Sequence, residues 1–408
     1  MEEPWGTAPV KLAVGEEAVA LTPGRALSAT SWCRNGTGSA VDSFSHEPSS
    51  AGWAGSDPGP FWQPMEPLNP TLRQLGWKPF FSKQVSAEEN RRCQPVRVMA
   101  VHRGMVTVLG EALESSISSV LPVQKGPEDR PTVGDWLLIG GDDRTLVRIL
   151  DRVSLLKRSA PGDDRRLQLI AANVDTLFIV TSCDQDFNIA RIERYLVLAR
   201  EAGVRPVIVL TKVDLVPDPA RFLETASALQ ERLQVELING RDPNSVACLA
   251  AHCGIGETVA LVGSSGVGKS TLINTLKGSD SIATQAVRES DGKGLHTTTV
   301  RQMHPVGSGL EGGGWLVDTP GMRELQMSDV TFGVADVFDD IVATALECRF
   351  TNCSHGDEPG CAIRAAISEG SIGAARVARW RKLTDEDAVN TGRAELRRAR
   401  PRKAGKRQ

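Results

Sequence analysis

The stretch GSSGVGKST at 263–271 constrains this chain more than any other. It follows the apolar run TVALV at 258–262 and precedes the helix-like run TLINTL at 271–276. Strand, glycine-rich loop and helix start, with the spacing G-x-x-x-x-G-K-[ST], define a P-loop. The residue types follow from the chemistry. A phosphate chain needs several backbone N–H groups aimed at one spot. Glycines at Gly263, Gly266 and Gly268 let the loop wrap tightly, and the helix start adds a favourable dipole. Ser264, Ser265 and Val267 complete the cradle. Lys269 would reach the β- and γ-phosphates, the Ser270 hydroxyl would hold Mg²⁺, and Thr271 opens the helix.

Around this loop there is room for two to three domains, since the chain has 408 residues and a domain takes about 150. The net charge of −3 is close to neutral, so any nucleic-acid surface must be local. No apolar run reaches the roughly 18 residues of a membrane span. Glu2 and Glu3 follow Met1 where a secretory signal would carry basic residues, so the expected location is the cytoplasm. Three of the eight cysteines cluster with a histidine, which favours a metal site in a reducing compartment over a disulfide framework.

Residues 1–64 are rich in Gly, Ser, Pro and Ala and carry no sustained periodicity, so they read as a disordered extension. Trp5, Trp32, Trp53 and Trp62 are possible aromatic anchors within it. A different texture opens at Met65, which is a candidate start. Residues 65–155 read as a short helical arm over 68–90 followed by five strands at 95–102, 105–109, 116–121, 135–140 and 145–153, punctuated by turn residues. That pattern suggests a small OB-type barrel. Such barrels often bind oligonucleotides, although the fold alone does not assign that role.

Over 156–345 the expectation is a nucleotide domain built on a mostly parallel sheet. TLFIVT at 176–181 and PVIVL at 206–210 read as buried strands, with a helix over 189–201 between them that turns Ile192, Tyr195, Leu196, Leu198 and Ala199 inward. Thr211, Lys212, Val213 and Asp214 follow, in the pattern [NT]-K-x-D that reads guanine. Asp214 would accept from the guanine N1–H and 2-amino group, and the Lys212 stem would lie along the base. QVELI at 234–238 reads as the next strand. Asn239 and Gly240 then stand where a Ser-Ala pair is usual, which leaves the second base-contacting loop unassigned. After the P-loop, DGKGLHTTT at 291–299 offers Thr298 or Thr299 to Mg²⁺. At the end of a strand at 315–317, Asp318 would hold Mg²⁺ through water, and the Gly321 N–H would sense the γ-phosphate. The guanine motif precedes the P-loop, so the domain reads as a circularly permuted GTPase. Met322 occupies the place of the glutamine that commonly orients the attacking water. His296 is the candidate for that task; a purely structural histidine is the alternative.

Residues 346–408 read as a zinc-binding module with a basic tail. Cys348, Cys353, His355 and Cys361 supply a complete tetrahedral set for structural Zn²⁺, with no open position for chemistry. A helix over 371–383 carries Arg376, Arg379, Arg381 and Lys382, and the terminus adds a dense run of Arg and Lys. Contact with a phosphate backbone is the expected use of this charge.

Taken together, the VGDW turn at 133–136, TKVD, GSSGVGKST, the HTTT run from His296, DTPGMRE at 318–324 and the cysteine cluster with its EPGCA ending resemble the RsgA/YjeQ family. These are circularly permuted GTPases of small-ribosomal-subunit maturation. The resemblance spans about residues 90–385. It implies an N-terminal OB barrel, a permuted GTPase core and a C-terminal zinc domain, in a chain taken as a monomer. It also implies slow GTP hydrolysis that the small subunit stimulates. The family's catalytic histidine falls on His296, its nucleotide contacts on Thr211, Lys212, Asp214 and 263–271, and its zinc ligands on Cys348, Cys353, His355 and Cys361. The leading expectation is an rRNA-binding maturation factor whose grip depends on GTP or GDP. The alternative is a nucleotide-gated RNA-binding factor in which hydrolysis is incidental.

Overall fold

The computed structural model describes residues 70–123, 126, 128–140, 143–159, 167–278, 301–306, 313–318 and 330–398. The extension at 1–64 therefore lies outside the described residues, as does the end of the basic tail.

The chain enters through two short helices, α1 (Pro79–Ser82) and α2 (Ala87–Arg92). A capping box starts α2: the Ser86 side chain accepts from the Glu89 N–H, and the Glu89 carboxylate accepts from the Ser86 N–H, which satisfies two otherwise orphan donors. Five antiparallel strands follow: β1 (Cys93–Val101), β2 (Met105–Gly110), β3 (Leu113–Ser118), β4 (Trp136–Gly140) and β5 (Leu146–Ile149). β3 begins three residues earlier than the sequence suggests. A tight turn through Glu111 and Ala112, with Ala112 at φ 54°, returns the chain straight into pairing with β2. The pairing order is β5-β4-β1-β2-β3. No β3–β5 pairing that would close a barrel occurs among the described residues. Val96, Val98, Val106, Val108, Ile117, Leu137, Ile139 and Leu146 form the core of this unit.

β1 is long enough to serve two partners on one side. Its first half pairs with β4, and its end pairs with β12 (Arg301–Pro305) of the nucleotide sheet. The hairpin of β6 (Leu155–Ser159) and β7 (Leu167–Ala172) follows β5; the sequence reading assigns neither of its strands. Gly134 of the VGDW turn sits at φ 87°, and a Cβ there would lie 2.1 Å from the Ala172 carbonyl oxygen, so no side chain fits between turn and hairpin. Its neighbours anchor the turn. Trp136 is fully buried, and the Asp135 carboxylate, also buried, accepts a two-pronged contact from Arg152 at 2.6 and 2.8 Å.

The nucleotide domain uses β8 (Thr176–Ser182), α3 (Ile189–Glu201), β9 (Arg205–Thr211), α4 (Ala220–Ser227), β10 (Gln234–Leu237), α5 (Pro243–Val246), β11 (Thr258–Val262), α6 (Lys269–Lys277), β12 and β13 (Trp315–Asp318). The strand order is β10-β9-β8-β11-β13-β12, parallel throughout except for β12. All seven residues of β8 are buried because both sheet faces are covered. Leu177 and Ile179 join the core on the α3 side, whereas Phe178 and Val180 pack with Leu272 and Ile273 of α6 on the other. α3 keeps the bounds and the inward residues expected from its apolar spacing. α7 (Thr331–Val337), α8 (Asp339–Leu346), α9 (Ala362–Glu369) and α10 (Ala374–Arg398) complete the chain; α10 runs well past the expected end at 383.

Arg97 of β1 ties these parts together although it is almost wholly buried. Its guanidinium donates to Leu75 O at 2.5 Å, Asn173 O at 3.3 Å, Gly134 O at 3.4 Å and the Thr258 hydroxyl at 2.8 Å. Thr258 is the first residue of β11, the strand that leads into the P-loop. Burial lowers the Arg97 pKa to about 10, still far above neutral, so the arginine stays charged.

Candidate nucleotide site and metal centre

β13, β11, β8 and β9 are parallel neighbours, so their C-terminal ends share one edge of the sheet. Asp318 ends β13, Gly263 follows β11, Ser182 ends β8 and Thr211 ends β9. Ligands of open α/β sheets bind outside this edge. The end of β9 and the P-loop thus come together although 56 positions separate Thr211 from Val267 in the chain.

The loop has the geometry its glycines permit. Gly263, Gly266 and Gly268 have φ values of 146°, 81° and 95°. A Cβ on Gly263 would lie 2.2 Å from the Val180 carbonyl oxygen, so the loop leaves the sheet pressed against the end of β8. Ser265, Gly266 and Ser270 are exposed, Ser264, Gly268, Lys269 and Thr271 are half-buried, and Val267 is buried as the loop's apolar anchor. The Lys269 ammonium donates to Gly263 O at 2.8 Å and to Ser264 O.

The guanine motif is joined to this loop directly. The buried Thr211 hydroxyl donates to Val267 O at 2.6 Å, with Thr181 O at 3.3 Å. Lys212 takes the left-handed conformation at φ 58°, and its ammonium lies 3.0 Å from Asp184 Oδ2. Val213 and Asp214 belong to a single 3₁₀ turn, with Asp214 exposed. Asp184, which the sequence reading missed, also accepts from the Ser182 hydroxyl at 2.7 Å and the Asp186 N–H at 2.9 Å. Burial pushes the Asp184 carboxyl upward, but these bonds and Lys212 outweigh it and hold it below the usual carboxylate range. A polar residue two positions after a strand end was its only signal in the sequence. Asn239 and Gly240 follow β10, and the Thr275 hydroxyl of α6 donates to Gly240 O at 2.7 Å. His296, Thr298, Thr299, Gly321 and Met322 lie outside the described residues, and only the backbone of Asp318 is described.

The metal centre is compact. The ligand atoms of Cys348, Cys353, His355 and Cys361 all lie within 4.8 Å of one another, and His355 Nδ1 is 3.5 Å from Cys348 Sγ and 3.8 Å from Cys361 Sγ. Three sulfurs and one nitrogen at this spacing fit a tetrahedral metal. Burial opposes charge on Cys348, yet N–H donors of Ala362 and Ile363 at the start of α9, with the neighbouring thiols, hold its pKa below that of an ordinary thiol. Burial with its neighbouring thiols pushes Cys353 up to about 11. The set can therefore hold one metal ion.

The helix behind the centre engages its arginines in contacts within the chain, with Arg376 and Arg379 half-buried and Arg381 exposed. Arg376 contacts Asp340 at 2.9 Å, Val337 O at 2.9 Å and Glu193 of α3 at 3.4 Å; Arg379 donates to Glu193 from both Nε and, at 3.0 Å, NH2; and Arg381 donates to His355 O. These three side chains hold the metal module together and to α3. Phosphate contact, expected of them from sequence, would have to compete with those bonds; Lys382 remains exposed.

A P-loop strand flanked by β8 and β13, with the guanine motif two strands away but earlier in the chain, defines a circularly permuted GTPase. The RsgA GTPase family model matches residues 149–328. Relatives include the small ribosomal subunit biogenesis GTPase RsgA of Mesorhizobium japonicum, 48% identical over 79% of this chain and 92% of that protein. The corresponding RsgA 2 of Vibrio parahaemolyticus is 46% identical over 82% of this chain and 91% of its own. The crystal structure of YjeQ from Thermotoga maritima shares the fold, with a TM-score of 0.52 and 24% identity over 72% of this chain and 98% of that one. The chain belongs to the RsgA GTPase family.

Proposed function

We propose that this GTPase acts in biogenesis of the small ribosomal subunit in the cytoplasm. In this reading it grips ribosomal RNA through the five-stranded β1–β5 unit and a zinc-holding C-terminal module, and its nucleotide state governs release. The bond from Thr211 to Val267 O carries the nucleotide part, because it locks base reading to phosphate binding. The printed names of the relatives support the ribosomal part.

The roles follow from chemistry. N–H groups of 263–271 cradle the phosphates, and Lys269 leaves its carbonyl partners to meet the β- and γ-phosphates. Asp214 accepts from guanine. Ser270 and Thr298 would hold Mg²⁺, with Asp318 acting through water; the ion would neutralise charge on the phosphates. Gly321 presents its N–H to the γ-phosphate. His296 orients the attacking water in place of the glutamine that Met322 replaces. Cys348, Cys353, His355 and Cys361 would hold one Zn²⁺ structurally, leaving no open position for catalysis.

The test is turnover of GTP and of ATP, with and without purified small ribosomal subunits at fixed salt. Stimulation of GTP turnover alone is expected, and D214N should lose the preference for guanine. Subunits that bind the protein without changing its turnover, with equal footprints in GTP-analogue and GDP states, would overturn nucleotide-governed release.

A further inference from the structure

Arg191 lies on the first turn of α3, three residues after the N-cap Asn188. A cation is unfavourable there, because a helix N-terminus carries partial positive charge. The usual remedy is a nearby carboxylate. Arg191 has none among the described residues: its NH1 donates to Asp186 O at 3.3 Å and to the Ser264 hydroxyl of the P-loop. Lys212, the neighbouring cation, is different, since Asp184 faces it at 3.0 Å.

The position of this uncompensated charge is informative. The Lys269 ammonium donates to Ser264 O, and Arg191 donates to the hydroxyl of the same residue. Two cations therefore meet at Ser264, one on its carbonyl oxygen and one on its hydroxyl. One of them is the lysine that a P-loop directs to the terminal phosphates. That shared contact places Arg191 beside the P-loop residue that Lys269 also contacts. A polyphosphate beside the loop would supply the negative charge that Arg191 lacks.

We propose that Arg191 is a positioning residue for GTP hydrolysis in this chain, holding the first half of the P-loop through Ser264 and adding positive charge where the γ-phosphate reacts. The proposal rests on the P-loop reading above. Arginines that touch the transferring phosphoryl group directly are worth about 10³–10⁵ in rate; one acting through a loop hydroxyl should be worth less, about tenfold.

The experiment compares the native protein with R191A, R191Q, R191K, S264A and R191A/S264A. It measures kcat and KM for GTP, and the affinity for a fluorescent GDP analogue. For R191A we expect kcat to fall about tenfold while KM and GDP affinity stay within about threefold. R191Q can still donate to Ser264 but carries no charge, and should lose most of that tenfold. R191K should recover part of it, and millimolar guanidinium ion should restore part of the R191A rate. S264A should fall less than R191A, with the double variant no worse than R191A, because the two residues act along one path. Native kcat in R191A or R191Q would overturn the proposal. So would a loss expressed equally in kcat, KM and GDP affinity, which would make Arg191 a folding contact. K269A tests the underlying P-loop reading separately: if it binds GTP normally, that reading fails whatever Arg191 does.

Discussion

Glu193 is a buried contact through which the nucleotide domain holds the metal module, and its removal should be measurable. It lies on α3, is fully buried, and faces two arginines of α10. Arg376 retains Asp340 and Val337 O when Glu193 is lost. Arg379 retains no carboxylate among the described residues. Removing one partner of a buried charge pair costs about 3–5 kcal/mol, because the other is left desolvated and unpaired. The Arg379 side chain is 23% exposed and can turn partly to water, so for Glu193→Ala we expect about 2–3 kcal/mol. Glu193→Gln keeps the shape and one acceptor and should cost about 1–2 kcal/mol. Adding Arg379→Met to Glu193→Ala should recover part of the loss, since no charge is then stranded.

The assay is native-state amide hydrogen exchange, which reads opening free energies segment by segment. The loss should appear in α7, α8 and α10 and leave β8 and β11 unchanged. A change below about 0.5 kcal/mol in α10 would refute the reasoning, because a buried pair cannot be removed that cheaply. An equal loss in β11 would refute it differently, by showing that α3 itself unfolds.

Other consequences follow from single contacts. Gly263→Ala should abolish GTP binding with little unfolding, since its Cβ would collide with Val180 O at 2.2 Å; equilibrium nucleotide binding and circular dichroism check this together. Cys353→Ser should lower the metal content of the chain below that of the native protein and loosen α9 while GDP affinity persists, as measured by elemental analysis and exchange of α9 amides. Arg148 first, with Ser86, lowers the Glu89 pKa to about 2 from an ordinary 4.5. Its contribution is therefore complete above pH 4.5 and is lost as pH falls through about 2. Glu89→Gln should cost at most about 1 kcal/mol at pH 7, a difference from the native protein that shrinks towards pH 2 in urea titrations.

The legible parts of this chain are those where one local rule decides the outcome. α3 follows its apolar spacing, and β8 and β11 follow continuous apolar runs between turns, so their bounds agree to within a residue. The P-loop and the cysteine cluster are compact in sequence, and their residue types have few other uses. The illegible parts depend on distant partners. β12 reads RQMHP, with no alternation, and is a strand only because β13 and β1 lie on either side of it. The β6–β7 hairpin is fixed by its approach to Gly134. Asp184 and Arg191 gain meaning only once β8 has brought the turn after it over the P-loop. The contacts of Arg376 and Arg379 were illegible for the same reason: Glu193, 183 residues from Arg376, meets them only once the fold places it opposite α10.

The permutation explains why α3 carries so much. Because the chain enters the nucleotide domain through β8, which lies between β9 and β11, the helix α3 that follows it contacts the phosphate loop through Arg191 in its first turn. Glu193 and Arg194 follow at once on the face that meets α10, where Arg194 pairs with Glu386 at 2.5 Å. A second attachment comes from the far end of the domain. The chain leaves towards the metal module after β13, and there the Val330 N–H donates to Asp387 of α10 at 3.2 Å. The same helix α10 is thus held by the element that begins the nucleotide domain and by the segment that ends it. In the common GTPase order, with the P-loop strand first, the segment after the strand equivalent to β13 would lead on to the base-reading strands. Here the chain leads instead into the metal module, whose last helix α10 is bonded back to α3 through Glu193 and Arg194.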